Sequence, residues 1–90
     1  MTARKRRAPV DLVAGWPDGE ASDHEVEVAR LFALNLRRAL LGRSVRSVAR
    51  EAGLNEGTIR HVLAGEVWPE IRTISSLERV LGVDLYPRRD

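Results

Sequence analysis

Apolar positions recur at helical spacing from residue 22 onward, and they do not before it. Val26, Ala29, Ala33, Leu36 and Leu40 follow at intervals of three and four, with Phe32 beside the stripe. That is one face of an amphipathic helix. Ahead of it, Ser22-Asp23-His24-Glu25 has the S-x-x-E spacing of a capping box, in which Ser22 takes the third amide and Glu25 reaches back. Asp23, Glu25 and Glu27 suit the positive end of the helix dipole, and Arg37 and Arg38 its negative end. The pattern predicts one long helix over residues 23–41, with Gly42 at its C-terminal cap.

Three shorter helices follow. Ser44 can cap a helix over residues 45–52, with Val48, Ala49 and Ala52 inward and Gly53 ending it. Asn55 can cap a third over 56–64 that carries Ile59 and Val62 and ends at Gly65. After the loop Glu66-Val67-Trp68, Pro69 suits a first helical turn. A fourth helix over 70–81 would then place Ile71, Ile74, Leu77, Val80 and Leu81 on one face, with Gly82 as its cap. Val83, Leu85 and Tyr86 are expected to fold back on the core, and Trp68 to act as a hydrophobic plug. No segment alternates with the period of a strand, and none repeats.

Residues 1–21 read as an arm, basic and then acidic, and partly disordered as chain termini are by default. Val10, Leu12, Val13 and Trp16 are nevertheless apolar enough to dock on a domain formed by residues 22–90. Ninety residues suffice for one core and not for two. The hydrophobic fraction of 43% and charged fraction of 31% are those of a globular chain. No apolar stretch approaches the roughly 20 residues of a membrane span. No apolar segment of a signal peptide follows the basic start, so the expected location is the cytoplasm.

The net charge of +2 hides a segregation. Arg4, Lys5, Arg6 and Arg7 open the chain. Residues 11–27 then hold only acids (Asp11, Asp18, Glu20, Asp23, Glu25 and Glu27), and residues 37–50 only cations (Arg37, Arg38, Arg43, Arg46 and Arg50). Such clustering points to a charged partner more than the total does. Catalysis finds no support. There is no Cys, His24 and His61 are far apart in sequence, and no nucleophile–base pair or glycine-rich phosphate loop is present. No metal and no cofactor are implied. Aromatic residues at 4% are too few for a single-strand binder built on stacking.

The two short helices joined across Gly53 meet the demands of a helix-turn-helix. Ala49, four residues before Gly53, is small where the helices cross. Leu54, Ile59 and Val62 follow the turn at offsets that face the core, and Val48 and Ala52 complete the inner face. With these positions in place, residues 32–86 resemble the Cro/repressor-type helix-turn-helix family, whose fold is lambda-repressor-like. The flanks agree: Leu36-Arg37 resembles the first-helix pattern, and the tail PEIRTISSLERVLGV resembles the family's segment after the motif. The resemblance implies an all-α, compact domain of four to five helices, here with an N-terminal arm and with the motif at residues 45–64.

The resemblance also implies site residues, position by position. The start of the recognition helix, Asn55, Glu56 and Gly57, and the next outward positions, Arg60 and His61, would read bases. Arg60 suits guanine O6 and N7. Asn55 suits adenine unless capping already occupies its side chain. Glu56 either accepts from cytosine N4 or orients Arg60 four residues on. Arg43, Ser44, Arg46, Arg50 and Thr58 would bind phosphate. The family's glutamine at the start of the second helix is replaced by Val45, so that Arg46 would supply the contact. Leu63 stands where a family glutamate often precedes the closing glycine. Arg4, Lys5, Arg6 and Arg7 are candidates to reach a groove.

The expected function is a sequence-specific, double-stranded DNA-binding transcriptional regulator, most commonly a repressor in bacteria or phage, acting by occupancy at the nucleoid. The alternative from another class is a protein-interaction module, such as an antitoxin or adaptor, that engages a basic partner through residues 10–27. A homodimer, if formed, would use the long first helix, the arm or the loop around Trp68.

Overall fold

The computed structural model describes residues 7–88. Four α-helices follow a short 3-10 turn at Pro9–Leu12: α1 (His24–Ala39), α2 (Val45–Ala52), α3 (Glu56–Leu63) and α4 (Ile71–Leu81). Among the described residues there is no strand. α2 packs on both α3 and α4, and α1 packs on α3 and on the 3-10 turn. All four helices meet in one core of Phe32, Leu36, Val48, Ala49, Ile59, Val62 and Leu77, joined by Leu85 from the chain after α4. The fold is all-α, with the helices where the apolar periods predict them.

The boundaries differ from prediction for identifiable reasons. The cap of α1 is Asp23, whose carboxylate accepts the Glu25 amide at 3.2 Å, so the capping box on Ser22 does not form. Both residues are good caps, and the helix starts one residue later than the S-x-x-E spacing requires. α1 closes at Ala39, which leaves Leu41 76% exposed beyond its end. α4 begins at Ile71 with Glu70 as its cap, so Pro69 lies outside the helix rather than in its first turn. The inner face of α4 is Thr73 and Leu77, with Ile74, Val80 and Leu81 partly buried around it. Ile71 is 85% exposed, because it lies about 120° from Leu77 around the helix. Of the closing residues only Leu85 enters the core, while Val83 and Tyr86 stay about half exposed.

Leu85 is drawn in by polar bonds on both sides. Its amide and that of Tyr86 donate to Glu78 Oε2 at 2.7 and 3.0 Å, and its carbonyl accepts from Asn35 Nδ2 at 2.8 Å. These bonds satisfy a backbone that no helix satisfies at that point.

Residues 7–21 lie against the helices. Pro9 and Val13 are buried where the 3-10 turn meets α1. Arg30, only 8% exposed, holds the loop that follows. Its Nη1 donates to Pro17 O at 3.0 Å, while Nε and Nη2 grip Glu27 at 2.7 and 2.6 Å. Glu27 Oε1 also accepts the Ala21 amide at 3.3 Å, and Arg37 pairs with Asp18 at 2.9 Å. A buried guanidinium is tolerable only with its donors matched in this way.

Two glycine turns close α2 and α3 with one bond pattern. Leu54 N–H reaches Ala49 O at 2.9 Å and Gly53 N–H reaches Arg50 O at 3.3 Å. Likewise Glu66 N–H reaches His61 O at 2.9 Å and Gly65 N–H reaches Val62 O at 3.1 Å. This pairing of the last carbonyls needs a left-handed residue, supplied by Gly53 at φ 69° and Gly65 at φ 71°. The turns differ in their surroundings. A Cβ on Gly53 would meet nothing within 4 Å, whereas one on Gly65 would lie 2.6 Å from Cε2 of the Trp16 ring.

These features predict three outcomes. In urea unfolding, Gly53→Ala should lose about 1 kcal/mol for left-handed backbone alone, and Gly65→Ala more than about 2 kcal/mol because the Trp16 ring must also move. Glu27→Ala should cost about 3 kcal/mol, the low end for a broken buried pair, since Glu27 keeps partial access to water. The third outcome concerns pH. Glu27 is held below its usual value near 4.5 by the Arg30 hydrogen bond, and Glu78 by the amides of Tyr86 and Leu85. A carboxyl more acidic folded than unfolded stabilises the fold above its unfolded value, and the contribution is lost as pH falls through the folded one. Stability should therefore fall below about pH 5, and less steeply in Glu27→Gln and Glu78→Gln, as measured by unfolding across a pH series.

Candidate nucleic-acid interface

α3 divides into two faces. Ile59 and Val62 are fully inside, and Ala49 of α2, itself buried, leaves room for the helices to cross. Asn55, Arg60 and His61 are exposed, and Glu56, Gly57 and Thr58 half-buried. The residues predicted to read bases thus share the outward side of one short helix.

Their chemistry is more specific than their position. Asn55 Oδ1 accepts the Gly57 amide at 2.7 Å and caps the helix. Its carbonyl is engaged, and its Nδ2 remains a donor for acceptors such as a purine N7. Glu56 is the partner of Arg60: Nε and Nη2 donate to Glu56 Oε2 at 3.1 and 2.9 Å. This is the i,i+4 contact anticipated in one of the two readings of Glu56, and it engages Oε2 alone. One edge of the guanidinium is held, and the end edge, Nη1 with the second hydrogen of Nη2, stays available. That end edge can still make the two-bond contact with guanine O6 and N7. Gly57 leaves room for the cap, since a Cβ there would sit 3.0 Å from Asn55 Oδ1.

The candidate phosphate contacts divide. Ser44 Oγ caps α2 by accepting the Ser47 amide at 2.9 Å, which leaves its hydroxyl hydrogen to donate outward. Arg43 pairs with Glu51 at 3.3 Å on the surface, so it is partly neutralised. Arg46 and Arg50 are exposed on one side of α2 and form no ion pair among the described residues. Thr58 is half-buried and lines a groove of about 440 Å3 between α3 and the start of α4. Arg7 is exposed, and its carbonyl accepts Trp68 Nε1–H at 2.8 Å. Arg4, Lys5 and Arg6 lie outside the described residues.

The groove adds a residue that periodicity did not single out. Arg72, exposed on the first turn of α4, lines it together with Asn55, Thr58 and His61. A cation at a helix start opposes the dipole. That mismatch is the signal in the sequence that could have drawn attention to Arg72, and Glu70, just before α4, lines the same groove. Trp68 is half-buried and borders this groove on one side and the cleft beside Phe32 on the other, so it wedges between surfaces rather than plugging the core.

Part of the segment expected to take a protein partner is engaged within the chain, while Leu12 is 39% exposed and Asp11, Glu20, Asp23 and Glu25 are exposed as well. Val13 is 4% exposed, Trp16 Nε1–H donates to Leu63 O at 3.0 Å, Asp18 pairs with Arg37 and Glu27 with Arg30. Among the described residues, no group of three or more His, Cys, Asp or Glu side chains is placed to hold a metal ion, and no helix is long and apolar enough to cross a membrane.

A helix-turn-helix family model matches residues 34–87, from the middle of α1 to just beyond the core anchor Leu85. No curated protein and no solved structure gives a significant match. The matched segment contains the α2–α3 pair, its glycine turn, the end of α1 and all of α4, and the chain therefore belongs to the Cro/repressor-type helix-turn-helix family of DNA-binding regulators.

Proposed function

We propose that this chain binds double-stranded DNA sequence-specifically, with α3 in the major groove, and represses transcription by occupying its site. The observation that carries the reading is the outward face of α3, where Arg60 is held by Glu56 with its end edge open and Asn55 and His61 are also exposed. Ile59 and Val62 lock the opposite face into the core, so these donors are presented on a rigid element. Arg60 reads guanine, and Asn55 and His61 donate to neighbouring base edges. Arg46, Arg50 and Arg72, with hydroxyl donation from Ser44 and Thr58, bind phosphates and set register. Arg43 contributes less while Glu51 holds it. Arg4, Lys5, Arg6 and Arg7 are candidates for a further contact with the DNA. The engagement of Val13, Trp16, Asp18 and Glu27 within the fold favours this reading over a partner-binding module.

Fluorescence anisotropy on a random duplex pool, at two salt concentrations and with selection for the bound fraction, tests it. Binding should weaken steeply with salt through counterion release. Arg50→Ala should weaken all duplexes alike and lower the salt slope by about 0.9. Arg60→Ala should leave non-specific binding largely intact and lose about 1–3 kcal/mol of preference for the selected sequence. Glu56→Gln should lose only about twofold in that preference, the worth of an exposed i,i+4 pair. A folded chain that binds no duplex at low salt would overturn the proposal.

A further inference from the structure

The amino-terminal segment lies outside the matched helix-turn-helix, yet it completes α3. α3 has eight residues, a length at which a helix is marginal on its own. The last carbonyls of any helix lack partners within it. Here Arg60 O takes the Ala64 amide at 3.0 Å, and the glycine turn uses His61 O and Val62 O. Leu63 O takes Trp16 Nε1–H at 3.0 Å, and Gly65 O takes the Val10 amide at 2.9 Å. Two further acceptors, Leu63 O in the helix and Gly65 O just beyond it, are therefore filled by the amino-terminal segment, 47 residues away in sequence for the Trp16 bond. The Trp16 ring also lies against Gly65 so closely that no side chain fits between them.

Trp16 is itself fixed from α1. Arg30 holds the carbonyl of the next residue, Pro17, and Arg37 holds Asp18. The end of α3 is thus tied through Trp16 to the longest helix of the domain, while Asn55 ties its start. Reading a base edge requires the donors to be placed within about 0.5 Å and 10–20°. A short helix pinned at its start and along one face can still tilt about that line, and the Trp16–Leu63 bond opposes tilt alongside the burial of Val62 and the packing of Leu63 on the core.

We infer that Trp16, with Val10, is a positioning element for base reading: it fixes the C-terminal end of α3 and thereby the aim of Arg60 and His61. The inference rests on the function proposed above, and it adds a residue outside the motif to the reading apparatus. It touches no DNA in this role. Its loss should cost selectivity rather than phosphate contact.

The test uses the full chain as wild type, Trp16→Phe and Trp16→Ala, at a temperature where circular dichroism shows each variant used to be folded. Trp16→Phe keeps an aromatic ring and removes the N–H donor. Two quantities are read: the affinity ratio between a duplex selected by wild type and its scrambled version, and amide exchange along the chain. Trp16→Phe should lower the ratio about threefold to tenfold with the salt slope unchanged, the scale of one unmade hydrogen bond. Exchange should quicken in residues 59–66 and stay the same in α1 and α4. An unchanged ratio with unchanged exchange in α3, or a parallel loss of both affinities that tracks the melting temperature, would overturn the inference. Should Trp16→Ala fail to fold, Trp16→Phe alone decides. Should wild type bind no duplex, the proposed function fails by itself, and exchange then decides whether Trp16 pins α3: quickening confined to α3 supports the pin, and none refutes it.

Discussion

An eight-residue helix cannot hold itself in place, and the rest of this structure follows from having to hold α3. Its own contribution to the core is Ile59 and Val62, both buried. Burying two such side chains is worth about 3–6 kcal/mol, comparable with the backbone entropy of only a few ordered residues. The deficit is met from outside. Ala49 lets α2 approach closely, Gly53 reverses the chain without a loop, and Asn55 starts the helix with a side-chain bond to the Gly57 amide. The far end is closed by Gly65 and by the segment before α1. What remains outward is free of structural duty except at Glu56 and Asn55, and that is where a reading surface can be placed.

The same economy governs charge. A net charge of +2 suggests little attraction for a polyanion, but the charges are partitioned by the fold. Acids of the amino-terminal segment and of the start of α1 are matched with cations of α1: Asp18 with Arg37 and Glu27 with Arg30. Those pairs secure the segment that carries Trp16. Of the arginines of α2 and α4, Arg46, Arg50 and Arg72 form no ion pair among the described residues. Segregation along the sequence therefore becomes a division of labour in space, with one set of charges building the domain and another facing outward.

Much of this was legible in the chain because its constraints are local. Gly53, Asn55 and the spacing of Ala49, Ile59 and Val62 lie within a few residues of one another, so the turn and its two helices follow from short-range rules. The Glu56–Arg60 contact was equally readable as an i,i+4 pair. Three kinds of feature were not. Where two adjacent residues can both cap, as Ser22 and Asp23 can, spacing does not choose between them. Successive steps of three drift about 60° each around a helix, so a stripe counted from Ile71 through Ile74 to Leu77 turns away from one face, which is how Ile71 came to be expected in the core. Contacts across 47 residues leave no periodic trace, so the docking of Trp16 on the end of α3 could be entertained from composition and not located. Arg72 lies between these cases, because its misfit with the helix dipole is visible but its neighbours in the groove are not.

Glu56 shows how affinity and selectivity separate in the proposed mode of binding. A carboxylate at the start of a recognition helix is favoured by the dipole and disfavoured by the phosphates it would approach. If attraction to DNA were the only demand, a neutral residue would serve better. The side chain instead holds one edge of Arg60 through Nε and Nη2 and leaves the end edge to face outward. An unrestrained arginine loses rotamer freedom worth up to about 2 kcal/mol when it docks on one base, whereas one already oriented loses less. Non-specific binding, which needs only charge near the backbone, gains nothing from that orientation and is weakened by the extra negative charge. Glu56 therefore subtracts from binding to every sequence and restores part of it only where a guanine meets the open edge, which widens the gap between the right site and all others.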